Sequence, residues 1–270
     1  MGGLGRIVVD IRQGLLPERN SRPTMVTTRG PKVTEPSISL NSIRGIVLDA
    51  VGTLIEPRPS VAEVYASAAK RQDVHLDILV VRTRFRRLFK TLESGEPNNP
   101  FATSEPNERR RWRAIVAGCL PEIPELDRAF EELWDHFGNP TSWRVFPDVE
   151  SALIRLHEAG IPFCVASNFD GRLHRVFDGL SIGNQLKFSS IVSSEVGYRK
   201  PHPAFYQAAL KRLSVDPSET LFVGDDAEND YHGPRRDGLH AVLVERDSGD
   251  AAYRDLGMLV DAIVGVCAGN

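Results

Sequence analysis

Between residues 161 and 244, short apolar runs alternate with helical stretches, and this alternation restricts the chain to very few folds. Residues 161–166, 188–193, 221–224 and 241–244 read as strands. Residues 171–180, 203–213 and 229–237 read as the helices between them, and a further helix opens at Pro147-Asp148 and ends at Gly160. Parallel strands need crossovers over the faces of their sheet, and helices of this length supply them. The pattern predicts an α/β fold, a Rossmann-like doubly wound parallel sheet with helices on both faces.

One more strand lies far upstream. Ile46-Val47-Leu48 is an unbroken aliphatic run, too short for a helix, and Asp49 follows where it ends. Gly52 and Thr53 come next, the glycine able to take turns that other residues resist. Residues 60–145 then carry only helical periodicity. Val61, Val64, Tyr65 and Ala68 share a face, as do Leu76, Leu79 and Val80. Trp112, Ile115, Val116 and Cys119 form a third stripe, and Leu126, Phe130, Leu133, Trp134 and Phe137 a fourth. The expected organisation is an α/β core from 45–59 and 146–270, with 60–145 inserted as an all-helical cap. Residues 1–44 hold seven basic against three acidic residues, four prolines and little periodicity, and read as an irregular extension. Arginine, serine and threonine there fit an organelle-targeting peptide, but Asp10 and Glu18 argue against one.

Charge and composition narrow the partners. With 33 basic and 36 acidic residues the formal charge is −3, which gives no general attraction to nucleic acid or an acidic membrane. No apolar run approaches the roughly 20 residues that span a bilayer. Three widely spaced cysteines suggest neither a zinc site nor a disulfide framework, and read as reduced thiols of a cytoplasmic protein. No phosphate loop of the G-x-x-x-x-G-K type points to ATP. A small molecule is the expected partner, and the oligomeric state stays open.

Polar chemistry gathers where the strands end. The first gives Asp49 and Thr53, the next Ser167 and Asn168. Lys200 opens the way into a helix, and the fourth strand ends in Gly224-Asp225-Asp226, with Asp230 five residues after Asp225. A nucleophilic carboxylate, a hydroxyl, a lysine and an acidic pair are what phosphoryl transfer through an aspartate needs. Asp49 is the candidate nucleophile, splitting one hard displacement into two. Asp49, Asp225 and Asp230 are candidate ligands for Mg²⁺, a hard cation that prefers carboxylate oxygen. Thr53, Ser167 and Asn168 are candidate substrate contacts, although Asn168 reads equally well as a turn brace. Lys200 adds positive charge beside the phosphoryl group and keeps Asp49 ionised. Asp226 competes with Asp230 as ligand, the other then capping the helix beginning near Asn229, and the five-residue spacing from Asp225 favours Asp230.

These four motifs, in this order, resemble the haloacid dehalogenase superfamily over residues 45–245, in the branch with a helical cap after the first motif. Ser167-Asn168-Phe169-Asp170 and the stretch from Gly224 through Gly233 are similar to the group termed haloacid dehalogenase-like hydrolase domain-containing 3. The resemblance implies Mg²⁺-dependent phosphate monoester hydrolysis, with the backbone carbonyl of Val51 as a further metal ligand. It also exposes a departure. Phosphatases of this superfamily carry a second aspartate two residues after the nucleophile, to protonate the leaving oxygen, and here that position is Val51. Such help is worth on the order of a hundred- to ten-thousand-fold. Four readings follow: a phosphatase with another acid or a good leaving group, a 2-haloacid dehalogenase, a weakly active binding or regulatory protein, and a phosphonatase-like enzyme using Lys70 or Lys90.

Overall fold

The computed structural model describes residues 39–93, 95–246 and 253–267, so most of the expected N-terminal extension lies outside the described residues. In chain order, β1 (Gly45–Leu48) and β2 (Ile55–Pro57) precede the helices α1 (Val61–Lys70) and α2 (Ile78–Thr91). Two short strands follow, β3 (Gly95–Glu96) and β4 (Asn99–Pro100), then α3 (Glu105–Cys119) and α4 (Leu126–Phe137). Next come β5 (Trp143–Val145), α5 (Val149–Glu158), β6 (Phe163–Ser167), α6 (Arg172–Asp178) and α7 (Ser181–Leu186). The chain continues through β7 (Ser189–Val192), α8 (Ser193–Val196), α9 (Pro203–Leu213) and β8 (Thr220–Gly224). A π-helical turn (Ala227–His232) then leads to α10 (Gly233–Arg236), β9 (His240–Leu243) and α11 (Leu256–Cys267).

The main sheet runs β7-β6-β1-β8-β9, and every neighbouring pair is parallel. From β1 the chain steps outward through β6 to β7, then crosses back to β8 on the other side. The direction of winding therefore reverses between β1 and β8. Ligands of such sheets bind in the crevice outside the carboxyl ends at this reversal. Asp49 follows β1 there and Asp225 follows β8.

Side chains alternate between the two faces of the central strand. Ile46 and Leu48 join one buried cluster with Leu153 and Leu156 of α5, Leu173 of α6, and Leu259 and Ile263 of α11. Val47 points the other way, into a cluster with Phe205, Tyr206 and Ala209 of α9. Burial on both faces is why this strand reads as an unbroken apolar run.

The chain leaves the sheet layer and returns to it along one antiparallel ribbon, with Ile55 of β2 opposite Val145 of β5 and Pro57 opposite Trp143. Between them α1–α4 bury a cluster of their own, including Tyr65, Val81, Ile115, Val116, Cys119, Phe130 and Leu133. Helix starts are chemically marked. The Glu63 carboxylate accepts from the Ser60 backbone N–H at 2.8 Å before α1, and Asp77 Oδ1 accepts from the Leu79 N–H at 2.6 Å before α2.

Two details depart from the sequence reading. Leu79 and Val80 are 63% and 43% exposed, not part of a buried stripe. The inward stripe of α2 is Val81, Phe85, Leu88 and Phe89, which leaves Leu79 and Val80 on the outer side. The helical block also holds a small ribbon, with Gly95 opposite Pro100 and Glu96 opposite Asn99. Pro97 and Asn98 form its turn, residues suited to that conformation.

Candidate active site

Asp49 is fixed at the end of β1 by its own backbone, whose N–H donates to the Val223 carbonyl of β8 at 2.8 Å. Its carboxylate is buried and meets Lys200, also buried, whose Nζ donates to Asp49 Oδ1 at 2.7 Å and to Asp230 Oδ1 at 2.6 Å. The other oxygen of Asp230 accepts backbone N–H groups of Asp225 and Asp226 at 3.2 and 3.0 Å. One carboxylate oxygen from each of Asp49, Asp225 and Asp230 lies within 4.8 Å of the other two.

Local backbone chemistry sets this arrangement. Asp226 caps the π-helical turn, its Oδ1 accepting from the N–H groups of Glu228 and Asn229 at 3.0 and 2.8 Å. That occupies Asp226 and leaves Asp230, one turn on, to face Lys200. Gly52 has φ +94°, and a Cβ there would also strike the Asp225 carboxylate. A Cβ on Gly224 would meet the Asp230 carboxylate. Both motif glycines therefore make room for acids.

Three carboxylates around one ammonium leave the cluster short of positive charge. Contrary to the expectation that Lys200 keeps Asp49 ionised, burial pushes the Asp49 carboxyl up to about 8, with Lys200 opposing but outweighed and Asp230 and Asp225 reinforcing. Solvent reaches Asp225, yet the protein around it and then the charge of Asp230 push its carboxyl up to about 6. Burial works against the charge on Lys200, but Asp230 and Asp49 outweigh it and hold the ammonium protonated. A donor set of hard carboxylate oxygens with a deficit of positive charge fits a divalent cation such as Mg²⁺.

The remaining expected residues fall round this centre. Ser167 is buried at the end of β6. Asn168 is engaged with the Lys200 backbone, its Nδ2 donating to the carbonyl at 3.0 Å and its Oδ1 accepting from the N–H at 2.7 Å. That is the bracing role. Thr53 is fully buried, with Oγ1 3.5 Å from Asp225 Oδ1, a long and weak approach. Val51 is half-buried against the sheet cluster. Together with Glu56, Phe146, Asp225, Glu245 and Arg246 it walls a cavity of about 680 Å³. His202 caps α9, its Nδ1 accepting from the Ala204 N–H at 3.2 Å.

One nearby residue has no signal in the sequence. Arg199 is 3% exposed and pairs with Glu108 of α3, about ninety positions away along the chain. Nothing local to either residue announces the other.

A family model described as haloacid dehalogenase-like hydrolase matches residues 43–236. Haloacid dehalogenase-like hydrolase domain-containing protein 3 of Mus musculus is 30% identical over 220 residues, covering 79% of this chain and 86% of the mouse protein. Phosphoserine phosphatase of Thermus thermophilus is 30% identical over 149 residues, 54% of this chain and 57% of that protein. Among solved structures, L-2-haloacid dehalogenase from Xanthobacter autotrophicus aligns with a TM-score of 0.63 at 20% identity, over 83% of this chain and 99% of that one. That last likeness concerns the fold alone.

Proposed function

Because this chain belongs to the haloacid dehalogenase-like hydrolase family, we propose that it hydrolyses phosphate monoesters of small molecules, with Mg²⁺, through a phosphorylated Asp49. One observation carries this reading: the buried contact of Asp49 with Lys200 inside a three-carboxylate cluster, at the reversal point of the sheet. The likeness to a phosphoserine phosphatase supports it.

Asp49 attacks phosphorus with one carboxylate oxygen, and the P–O bond to the leaving group breaks. Water then attacks the phosphorus, releasing phosphate and restoring Asp49. Lys200 offsets the charge of the phosphoryl oxygens, the Ser167 hydroxyl donates a hydrogen bond to one of them, and Asn168 fixes the backbone that carries Lys200. Asp49, Asp225 and the Val51 carbonyl would hold Mg²⁺. Asp230, whose oxygens already take Lys200 and two backbone N–H groups, completes the acidic set from behind. When bound, the cation offsets repulsion between an anionic nucleophile and an anionic phosphate.

Val51 supplies no proton, so the leaving group departs best as a stable anion. Acyl and aryl phosphates meet that condition. The same observation favours one second reading, displacement of halide from a 2-haloacid, where the leaving group needs no proton. The deciding experiment offers aryl, acyl and alkyl phosphates and 2-haloacids to the protein with and without Mg²⁺, beside Asp49→Asn. Mg²⁺-dependent phosphate release, lost in Asp49→Asn, supports the phosphatase. Halide release supports the second reading. Mg²⁺ binding with no turnover of any class makes the chain a binding protein instead.

A further inference from the structure

The loop that carries Lys200 is gripped by the helical block. The Thr103 N–H donates to the Gly197 carbonyl at 2.9 Å, and the Arg199 N–H to the Phe101 carbonyl at 2.8 Å. These bonds flank an antiparallel bridge between Ala102 and Tyr198, so 101–103 and 197–199 run as one short seam. Side chains lock it. Arg199 Nε donates to Glu108 Oε1 at 2.7 Å, and its Nη1 donates to the Glu93 carbonyl at 2.8 Å. Glu108, fully buried on α3, also accepts from Thr103 Oγ1 at 2.6 Å, and its second oxygen lies 3.6 Å from Arg111. The Glu93 carboxylate accepts from Asn229 Nδ2 at 2.7 Å, which ties the same segment to the turn bearing Asp230.

One residue beyond Arg199 the chain is clasped from the other side, where Asn168 takes both backbone groups of Lys200. Lys200 thus stands between a cap-side anchor and a core-side anchor, with no slack residue between them. Apolar side chains of similar volume would seal such a seam at least as stably as a buried ion pair. What the pair adds is direction, because the planar guanidinium brings two of its donors, Nε and Nη2, onto the single oxygen Glu108 Oε1, at 2.7 and 2.6 Å. Parting of the two sides would return both ions to water, so the contact fixes register without making closure irreversible.

We propose that Arg199 and Glu108 are positioning residues, which place Lys200 Nζ between Asp49 and Asp230 only when the helical block is docked. The kinetic half of this rests on the phosphatase reading above; the structural half does not. The test uses the full chain with Glu108→Gln, which keeps shape and loses charge, and Arg199→Lys, which keeps charge and loses the fork. Amide hydrogen exchange at Thr103 and Arg199 reports the seam, and exchange at Val47 and Phe222 reports global stability. Acylation of Lys200 by an amine reagent, read by peptide mass mapping, reports the shelter of the ammonium.

Both variants are expected to exchange at the seam about tenfold or more faster, with central-strand amides unchanged, and to expose Lys200 to acylation. On an aryl phosphate with Mg²⁺, kcat is expected to fall about tenfold while KM stays within about twofold. Added to Lys200→Ala, Glu108→Gln should cause no further loss, since both act through one ammonium. Unchanged seam exchange and unchanged acylation in both variants overturn the proposal, as do losses that multiply with Lys200→Ala. Should one variant loosen the central strands as well, the other is the one to read. A native protein that turns over no phosphate ester counts against the phosphatase reading, and exchange with acylation then decides the positioning by themselves.

Discussion

Val51 stands two residues after Asp49, where the resemblance to phosphatases implies a second aspartate. It packs on the sheet cluster and borders the cavity beside Asp225, and it has no proton to give. Val51→Asp places a carboxylate two residues from Asp49. Turnover of alkyl phosphates is then expected to rise at least about tenfold, and that of aryl or acyl phosphates much less, because only the former wait for a proton. Steady-state kcat/KM on one ester of each kind checks this. Equal rate constants on both esters in the native protein would mean that another group delivers the proton. At this scale the sequence was readable wherever a residue's task is local. Asp49, Lys200, Asp225 and Asp230 each follow a strand end or a motif, and they do converge. The five-residue spacing favours Asp230 over Asp226, and the physical reason shows only in the fold: a π-helical turn brings Asp230 back to Lys200 while Asp226 caps that turn. Arg199 and Glu108 were invisible for a different reason: their pairing runs across two folding layers.

Among the elements, β1 carries the heaviest load, since it lies at the centre of the sheet and is covered on both faces. Leu48 is fully buried, and Leu48→Ala should cost about 2–5 kcal/mol of unfolding free energy. Leu79, exposed on the outer side of α2, should cost no more than about 0.5 kcal/mol when truncated the same way. Urea titration of the two variants makes the comparison, and near-equal losses would show that the outer face of α2 is covered in solution. The central strands β1 and β8 were legible because burial on both faces makes them apolar and turns bound them. The phase of α2 was misread because Ile78-Leu79-Val80-Val81 is apolar all round, and only Phe85, Leu88 and Phe89 select the inward side. Helix α11 carries Leu256, Leu259, Val260 and Ile263 at helical spacing, but Gly257 and Gly265 weaken its intrinsic propensity. Packing of those four side chains into the α5 cluster is what holds it.

For the molecule as a whole, α1–α4 bury an apolar cluster beside those of the sheet layers, Phe137 packs against both the α1–α4 cluster and a sheet-layer one, and the β2–β5 ribbon links the two parts of the chain. No helix among the described residues is long and apolar enough to cross a membrane. The acidic cluster links folding to pH and to metal. Asp49, up to about 8, and Asp225, up to about 6, hold protons in the fold that the unfolded chain would release near the ordinary carboxylate value of 3.8. Without metal, stability should therefore fall as pH rises through that window. A cation must displace those protons to bind, so Mg²⁺ should raise Tm more at about pH 8 than at about pH 6. Calorimetric melting with and without Mg²⁺ at both values checks this, with Asp225→Asn expected to shrink the shift. An equal or larger shift at the lower pH would place the metal elsewhere. The central claim, that Asp49 is the phosphorylated nucleophile, is tested most directly by trapping. The protein is mixed with Mg²⁺ and a radiolabelled acyl phosphate, quenched in acid within one turnover, and mapped by peptide. Label on the peptide containing Asp49, absent from Asp49→Asn, is the predicted result; label on another residue, or phosphate release by Asp49→Asn at the native rate, would contradict it.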